Sequence, residues 1–332
     1  MQAILNSFPR LRLLKQQTLV YKLEKLSKHL GANIFIKRDD TDFLGGGGNK
    51  LRKLEFLLGD AINKGGNRII TLGAIQSNHA RLTAAACNYA GLKCDLVLGK
   101  TVNRTDNDYT TNGNVLLDKI LGVTIHEPDA DTDLIKYADD LGKALAKEGH
   151  KPYIIPFGGS NPTGILGYVR CMAEIKEQEA NLGIVFDKIV LVNGSGGTHA
   201  GAVAGVKLFE LKAQVHAYNV VRHNEKSFGL TSDYAQETIN LFNNPEIRLT
   251  ANDIIMYDNF LGSAYGQPTD EAIAAIKLLA KLEGVFLDPV YTAKAFAGLI
   301  DGTQTGKYSK DENILFLMTG GSPAIYAYKN IF

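Results

Sequence analysis

The stretch of the chain best suited to chemistry is Gly45-Gly46-Gly47-Gly48-Asn49-Lys50-Leu51-Arg52-Lys53. Glycines let a backbone pass close to a bound ring or phosphate. Asn49 is a favourable N-cap for the amphipathic run that follows. Lys50 therefore falls at the positive end of a helix, where neighbouring N–H groups ease deprotonation. A lysine with a lowered pKa is the nucleophile that Schiff-base chemistry requires. Lys53 lies one turn further on and is expected to be replaceable. A glycine loop feeding an ordinary helix of solvated lysines has the same signature, so a second observation is needed.

A second glycine run supplies it. Residues 187–193 read as a buried parallel strand, and Gly194-Ser195-Gly196-Gly197-Thr198-His199-Ala200-Gly201 leads from it into an apolar, small-residue helix at 200–208. Strand, glycine turn and helix N-terminus form a cup for an anionic phosphate, built from backbone N–H groups. Gly194, Ser195, Gly196, Gly197 and Thr198 are its candidate lining. A dinucleotide does not fit, because His199 takes the third glycine position of G-x-G-x-x-G. The strand at 214–220 also ends without an acidic residue for a ribose. Neither this loop nor Gly302–Tyr308 has the spacing of a P-loop. One phosphate together with one nucleophilic lysine points to pyridoxal 5′-phosphate.

The elements that must position these residues alternate. Strands are expected at 33–37, 68–73, 93–98, 123–126, 153–156, 187–193, 214–220 and 313–318. Helical runs lie between them, among them 78–90, 132–148, 163–182 and 269–283. Such alternation predicts an α/β fold of parallel sheets covered by helices. A net charge of +1 over 332 residues gives no electrostatic case for nucleic acid or an anionic membrane. No apolar run reaches transmembrane length. Three cysteines and seven histidines show no disulfide framework and no metal-ligand spacing. Cytoplasmic residence without a metal is the expectation.

The chain resembles the 1-aminocyclopropane-1-carboxylate deaminase / D-cysteine desulfhydrase family of pyridoxal-phosphate enzymes. The likeness rests on Phe8-Pro9-Arg10, Ile36-Lys37-Arg38-Asp39-Asp40, the Gly47–Glu55 stretch and Gly73-Ala74-Ile75-Gln76-Ser77-Asn78-His79. It continues through Thr111-Asn112-Gly113-Asn114, the Gly194–Gly201 cup, Tyr265-Gly266, Asp288–Lys294 and Thr319-Gly320-Gly321-Ser322-Pro323-Ala324. Gln16-Gln17-Thr18-Leu19 departs from it, where relatives usually carry a Thr-Pro. The resemblance implies a two-lobed, tryptophan-synthase-β-like fold (fold type II). A small lobe of residues 50–161 would be inserted into a large lobe of 1–49 and 162–332, with the cofactor between them. It also implies a homodimer.

By the same resemblance, Lys50 carries the cofactor and Asn78 hydrogen-bonds the ring hydroxyl. Ser77 is catalytic or binds the substrate carboxylate, with Gln76 and His79 beside it. Tyr291 lies against the ring with its hydroxyl near the substrate, and Tyr265 is a second active-site tyrosine. Thr292 and Thr319 mark the branch, because the deaminases have glutamate and leucine in their places. A neutral hydroxyl at the ring nitrogen makes a weaker electron sink than a carboxyl group. That suits a small amino acid with an α-hydrogen and a good β-leaving group. The expected reaction is β-elimination of D-cysteine, with Lys50 as general base. Cyclopropane-ring deamination and L-cysteate sulfo-lyase chemistry are the alternatives.

Overall fold

The computed structural model describes residues 1–332. Ten strands form two sheets. In chain order they are β1 (Val20–Lys22), β2 (Asn33–Arg38), β3 (Arg68–Ala74), β4 (Lys93–Gly99), β5 (Thr124–His126), β6 (Pro152–Ile155), β7 (Lys188–Asn193), β8 (Gln214–Asn219), β9 (Ile255–Tyr257) and β10 (Asn313–Met318). The six-stranded sheet runs β1-β2-β10-β7-β8-β9 and the four-stranded sheet β5-β4-β3-β6. Every pairing is parallel except β1 on β2. All eight expected strands are present. The two unexpected ones, β1 and β9, have three residues each, too few to display a period.

Helices cover both faces, so the central strands are buried runs without polar alternation, as in Ile-Val-Leu-Val of β7. The expected helices appear as Asn78–Ala90, Leu134–Lys147, Pro162–Leu182 and Asp270–Glu283. The helix after β7 begins at Gly197, three residues earlier than its apolar run, because the last glycines of the turn are already helical.

Helix Lys50–Asn63 is the pivot of the site. Gly167 lets helix Pro162–Leu182 press against its backbone, since a Cβ there would collide with the carbonyl of Arg52. Arg52 is 2% exposed and fully engaged. Its Nε donates to Asp39 at 2.8 Å, its Nη1 and Nη2 to Glu174 at 3.0 and 2.9 Å, and its Nη2 to Thr18 at 2.9 Å. Lys37 lies 3.3 Å from Glu174, and Tyr168 donates to Asp39 at 2.6 Å. The cluster joins the segment before β1, the end of β2 and both helices. Thr18, in the stretch that departs from the family pattern, is thus a buried member of it. One turn on, Glu55 accepts from the N–H groups of Leu13 and Leu14 and pairs with Arg10 at 2.6 Å.

Removing one member of such a cluster strands the others without a partner. Arg52→Met should therefore cost about 3–5 kcal/mol, read as a lower urea midpoint for unfolding. A midpoint equal to the parent's would show that the cluster does not hold the helix.

Candidate active site

A cleft of about 290 Å³ opens at the C-terminal ends of the parallel strands, where open α/β sheets bind ligands. Leu72 to Ala74 of β3, Gly158 after β6, Gly194 after β7 and Thr319 after β10 line it. So do Asn49, Lys50, Ser77, Asn78, His79, Ser195, Gly196, Thr198, Tyr265 and Tyr291. The two glycine motifs, far apart in sequence, face the same space.

Lys50 is the first residue of its helix and is half-buried. Burial disfavours its charged form and lowers its pKa to about 8. Asn49 precedes it, but its backbone is already α-helical and its side chain caps nothing. Its Nδ2 donates to Thr198 Oγ1 at 3.0 Å, while its Oδ1 accepts from Lys50 Nζ at 3.3 Å. Asn49 therefore ties the start of one cleft helix to the start of the other.

The glycine run before it answers a constraint other than the expected one. Gly45 to Gly48 all have positive φ, 58°, 78°, 70° and 136°, and none of them lines the cleft. A Cβ on Gly47 would strike the carbonyl of Asp40, and one on Gly45 would fall 2.6 Å from Ala85 Cβ. The run lets the loop lie on helix Asn78–Ala90.

Lys53 is wholly buried, contrary to the picture of a replaceable lysine. Its Nζ donates to Gly158 O at 3.0 Å and Ser160 Oγ at 3.1 Å. Ser160 Oγ in turn lies 2.8 Å from Ser195 Oγ. A Cβ on Gly197 would fall 2.7 Å from Lys53 Nζ. No carboxylate pairs with either Lys50 or Lys53. Burial first, and Lys50 second, push Lys53 well below the ordinary lysine value. Helix Gly197–Phe209 has no side-chain cap, so its first N–H groups also lack partners. A buried cation, two hydroxyls and an uncapped helix N-terminus fit a phosphate dianion. Gly196, at φ 87°, shapes the turn. Lys53 and Ser160 escaped sequence reading. The one available signal was spacing, since Lys53 shares the helical face of Lys50.

Ser77 caps helix Asn78–Ala90, its Oγ accepting from Ala80 N at 3.1 Å, and its hydroxyl proton stays free to donate. Asn78 Oδ1 accepts from Asn114 at 2.9 Å, which leaves its own amide N–H groups for a ligand. His79 is buried, with Nε2 at 2.8 Å from Thr71 Oγ1 and Nδ1 without a partner. Burial and the two lysines hold its ring neutral. The hydroxyls of Tyr265 and Tyr291 meet at 2.5 Å. Burial raises both phenols, so the pair keeps its protons.

Two expected substrate residues stand outside the cleft lining. Gln76 spends its amide on Tyr109 O at 2.6 Å and Asn112 O at 2.8 Å, and its Oε1 accepts from Asn114 N. It clamps the loop behind Asn78. Thr292 is fully buried and donates to Asp288 Oδ1 at 2.7 Å. A glutamate there would face a buried carboxyl group. Thr319 lines the cleft with a hydroxyl that has no partner within the protein, while its carbonyl accepts from Asn49 N at 3.0 Å. Gly197, Lys53 and Ser160 are also outside the lining, and Gly197 contributes the helix start.

Residues 11–320 match the family of pyridoxal-phosphate dependent enzymes. A D-cysteine desulfhydrase of Yersinia enterocolitica is 42% identical over 328 residues, covering 99% of this chain and 98% of the relative. A solved structure described as an ACC deaminase homologue superposes with a TM-score of 0.89 at 39% identity, covering 99% of this chain and 97% of the other. The processed form of threonine deaminase isoform 2 from Solanum lycopersicum shares the fold, at 19% identity and a TM-score of 0.63, with 92% of this chain and 79% of the other covered.

Two measurements test the charges of the cleft. Inorganic phosphate should stabilise the cofactor-stripped protein, by about 2.7 kcal/mol at about a hundredfold excess over Kd. Lys53→Met should abolish that gain, and a gain kept in full would remove Lys53 from the phosphate site. In the same stripped protein, acylation of Lys50 should rise with pH through a midpoint of about 8, because only the neutral amine reacts. Peptide mass spectrometry reads the site, and a midpoint above about 10, the ordinary lysine value, would contradict the lowered pKa.

Proposed function

The chain belongs to the pyridoxal-phosphate dependent enzymes, and we propose that it is a D-cysteine desulfhydrase, a carbon–sulfur lyase releasing pyruvate, sulfide and ammonia. The full-length likeness to D-cysteine desulfhydrases carries the reading, and the cleft supplies residues for each step. Bound there, the cofactor supplies a ring that acidifies the substrate's α-hydrogen and accepts the electrons left behind.

Lys50 holds the cofactor through Nζ. Lys53, Ser195, Gly196 and Thr198 with the N-terminus at Gly197 hold its phosphate, and Gly194 keeps the floor of the turn open. Asn78 meets the ring hydroxyl and Thr319 the ring nitrogen. A threonine hydroxyl there could share only a hydrogen bond, which would suit removal of an acidic hydrogen better than opening a cyclopropane. The Ser77 hydroxyl and the N–H groups at the start of helix Asn78–Ala90 take the substrate carboxylate. His79, neutral and fixed by Thr71, orients the amino acid. Lys50 Nζ, as a free amine, would take the proton from Cα. The C–S bond then breaks, its electron pair leaves with sulfur, and the Tyr291–Tyr265 pair donates a proton to that sulfur. Water finally separates pyruvate from ammonia.

The same reading takes residues 1–49 and 162–332 as the cofactor-binding lobe and 50–161 as the small lobe. It makes the enzyme a cytoplasmic homodimer acting on a free amino acid. Three free, buried cysteines support a reducing setting. No helix is long and apolar enough to cross a membrane.

D-cysteine should release pyruvate at least about tenfold faster, by kcat/KM, than L-cysteine or L-cysteate. It should outpace 2-oxobutanoate release from 1-aminocyclopropane-1-carboxylate by a similar margin. Faster turnover of the cyclopropane would replace this reading with a deaminase, and faster turnover of L-cysteate with a sulfo-lyase. Lys50→Ala should lose turnover by about 10³-fold or more while keeping the parent's thermal midpoint.

A further inference from the structure

Arg81, on helix Asn78–Ala90, and Asp118, on helix Asn114–Leu121, are fully buried and lie outside the cleft lining. Both oxygens of Asp118, and Nε and Nη1 of Arg81, lack a hydrogen-bond partner. Only Nη2 of Arg81 is engaged, donating to the carbonyl of Gly47 at 2.9 Å. The guanidinium lies beneath the glycine loop. Cβ atoms on Gly46 and Gly48 would fall 3.9 Å from Nη1 and 3.7 Å from Nη2. Each charge is destabilised by burial and relieved by the other, leaving the guanidinium near 10 and the carboxyl near 7.

No hydrogen bond or ion pair joins the two side chains, and the carboxyl group acts on the guanidinium only through its charge. The consequence reaches Lys50 through the backbone. Four successive residues of positive φ have few rotational preferences of their own, so the loop needs an outside reference. The Gly47 carbonyl is the point where a charged donor grips it, three residues before Lys50. We propose that Arg81 is a positioning residue for Lys50: it fixes the Gly47 carbonyl and with it the turn from which helix Lys50–Asn63 departs. The inference rests on Lys50 being the cofactor-bearing amine. Because the pair is net neutral, removing both members alters Lys50 through position and not through charge.

The test compares holoprotein variants by three readouts. These are kcat and KM on D-cysteine, thermal midpoint, and the rate at which methoxyamine bleaches the visible band of the bound cofactor. Arg81→Lys keeps the charge but replaces the rigid planar fork with a mobile ammonium group that holds the Gly47 carbonyl less firmly. It should lower kcat about tenfold, leave KM within about twofold and speed bleaching about fivefold, as expected for a displaced reacting group. Arg81→Met with Asp118→Leu leaves no orphaned charge, so its thermal midpoint should return toward the parent's. Its kcat should stay low and its bleaching fast. A double variant with the parent's kcat and bleaching rate would reduce the pair to a structural role and overturn the proposal. Arg81→Lys indistinguishable from the parent would do the same, and serves if the double variant does not fold. If the parent itself releases no pyruvate from D-cysteine, the functional reading fails, while the bleaching rates still decide this inference.

Discussion

The rotation of one helix about its own axis governs the site. At about 100° per residue, Lys50 and Lys53 of helix Lys50–Asn63 lie within about 60° of each other, and Arg52 and Glu55 project from the opposite side. The second pair is locked. Arg52 is held between Asp39 and Glu174, and Glu55 by Arg10 and two backbone N–H groups. With that face fixed, the lysines point the other way, Lys50 into the cleft and Lys53 into the turn at Gly158 and Ser160. A slip of one residue would turn Lys50 into the protein and bring Leu51 to the cleft.

Both faces bury charge, to opposite ends. On the inner face every charge has its complement: Arg52 and Lys37 balance Asp39 and Glu174, and Tyr168 and Thr18 fill the remaining positions. Such a cluster adds less to stability than to specificity, because the desolvation it suffers offsets much of its attraction. On the outer face two amines sit close together with no anion, and burial disfavours charging both. That arrangement is unfavourable in isolation and becomes favourable when an anion and an electrophile arrive. The inner cluster supplies the rigidity that keeps the outer pair from relaxing into solvent.

Much of this was readable from residue types. Buried parallel strands announce themselves as unbroken apolar runs, so eight of ten strands and the glycine turn after β7 were legible. Lys53 was not, because its burial is created by the turn at Phe157–Ser160, about a hundred residues later in the chain. Gln76 and Thr292 show a different limit. Each neighbours a residue that does face the cleft, but successive side chains in a turn diverge, and a motif records adjacency without direction. Gln76 points back at Tyr109 and Asn112, and Thr292 at Asp288. The glycine run was legible as a conformational demand, though the contact that imposes it, helix Asn78–Ala90, is not adjacent in sequence.

The place of β10 has a consequence for biosynthesis. This strand, nearly the last segment of the chain, lies between β2 and β7 in the middle of the large sheet. Thr319 follows it directly and accepts from the backbone of Asn49. The four-stranded sheet, by contrast, uses only residues between Arg68 and Ile155 and is complete once that stretch has been made. A chain still being translated can therefore own Lys50 and the glycine turn after β7, yet it has a gap where β10 belongs and no Thr319 to close the cleft. Assembly of the cleft therefore waits until β10 and Thr319 have been made, and a chain cut short before them lacks a central strand of its large sheet and one wall of its cleft.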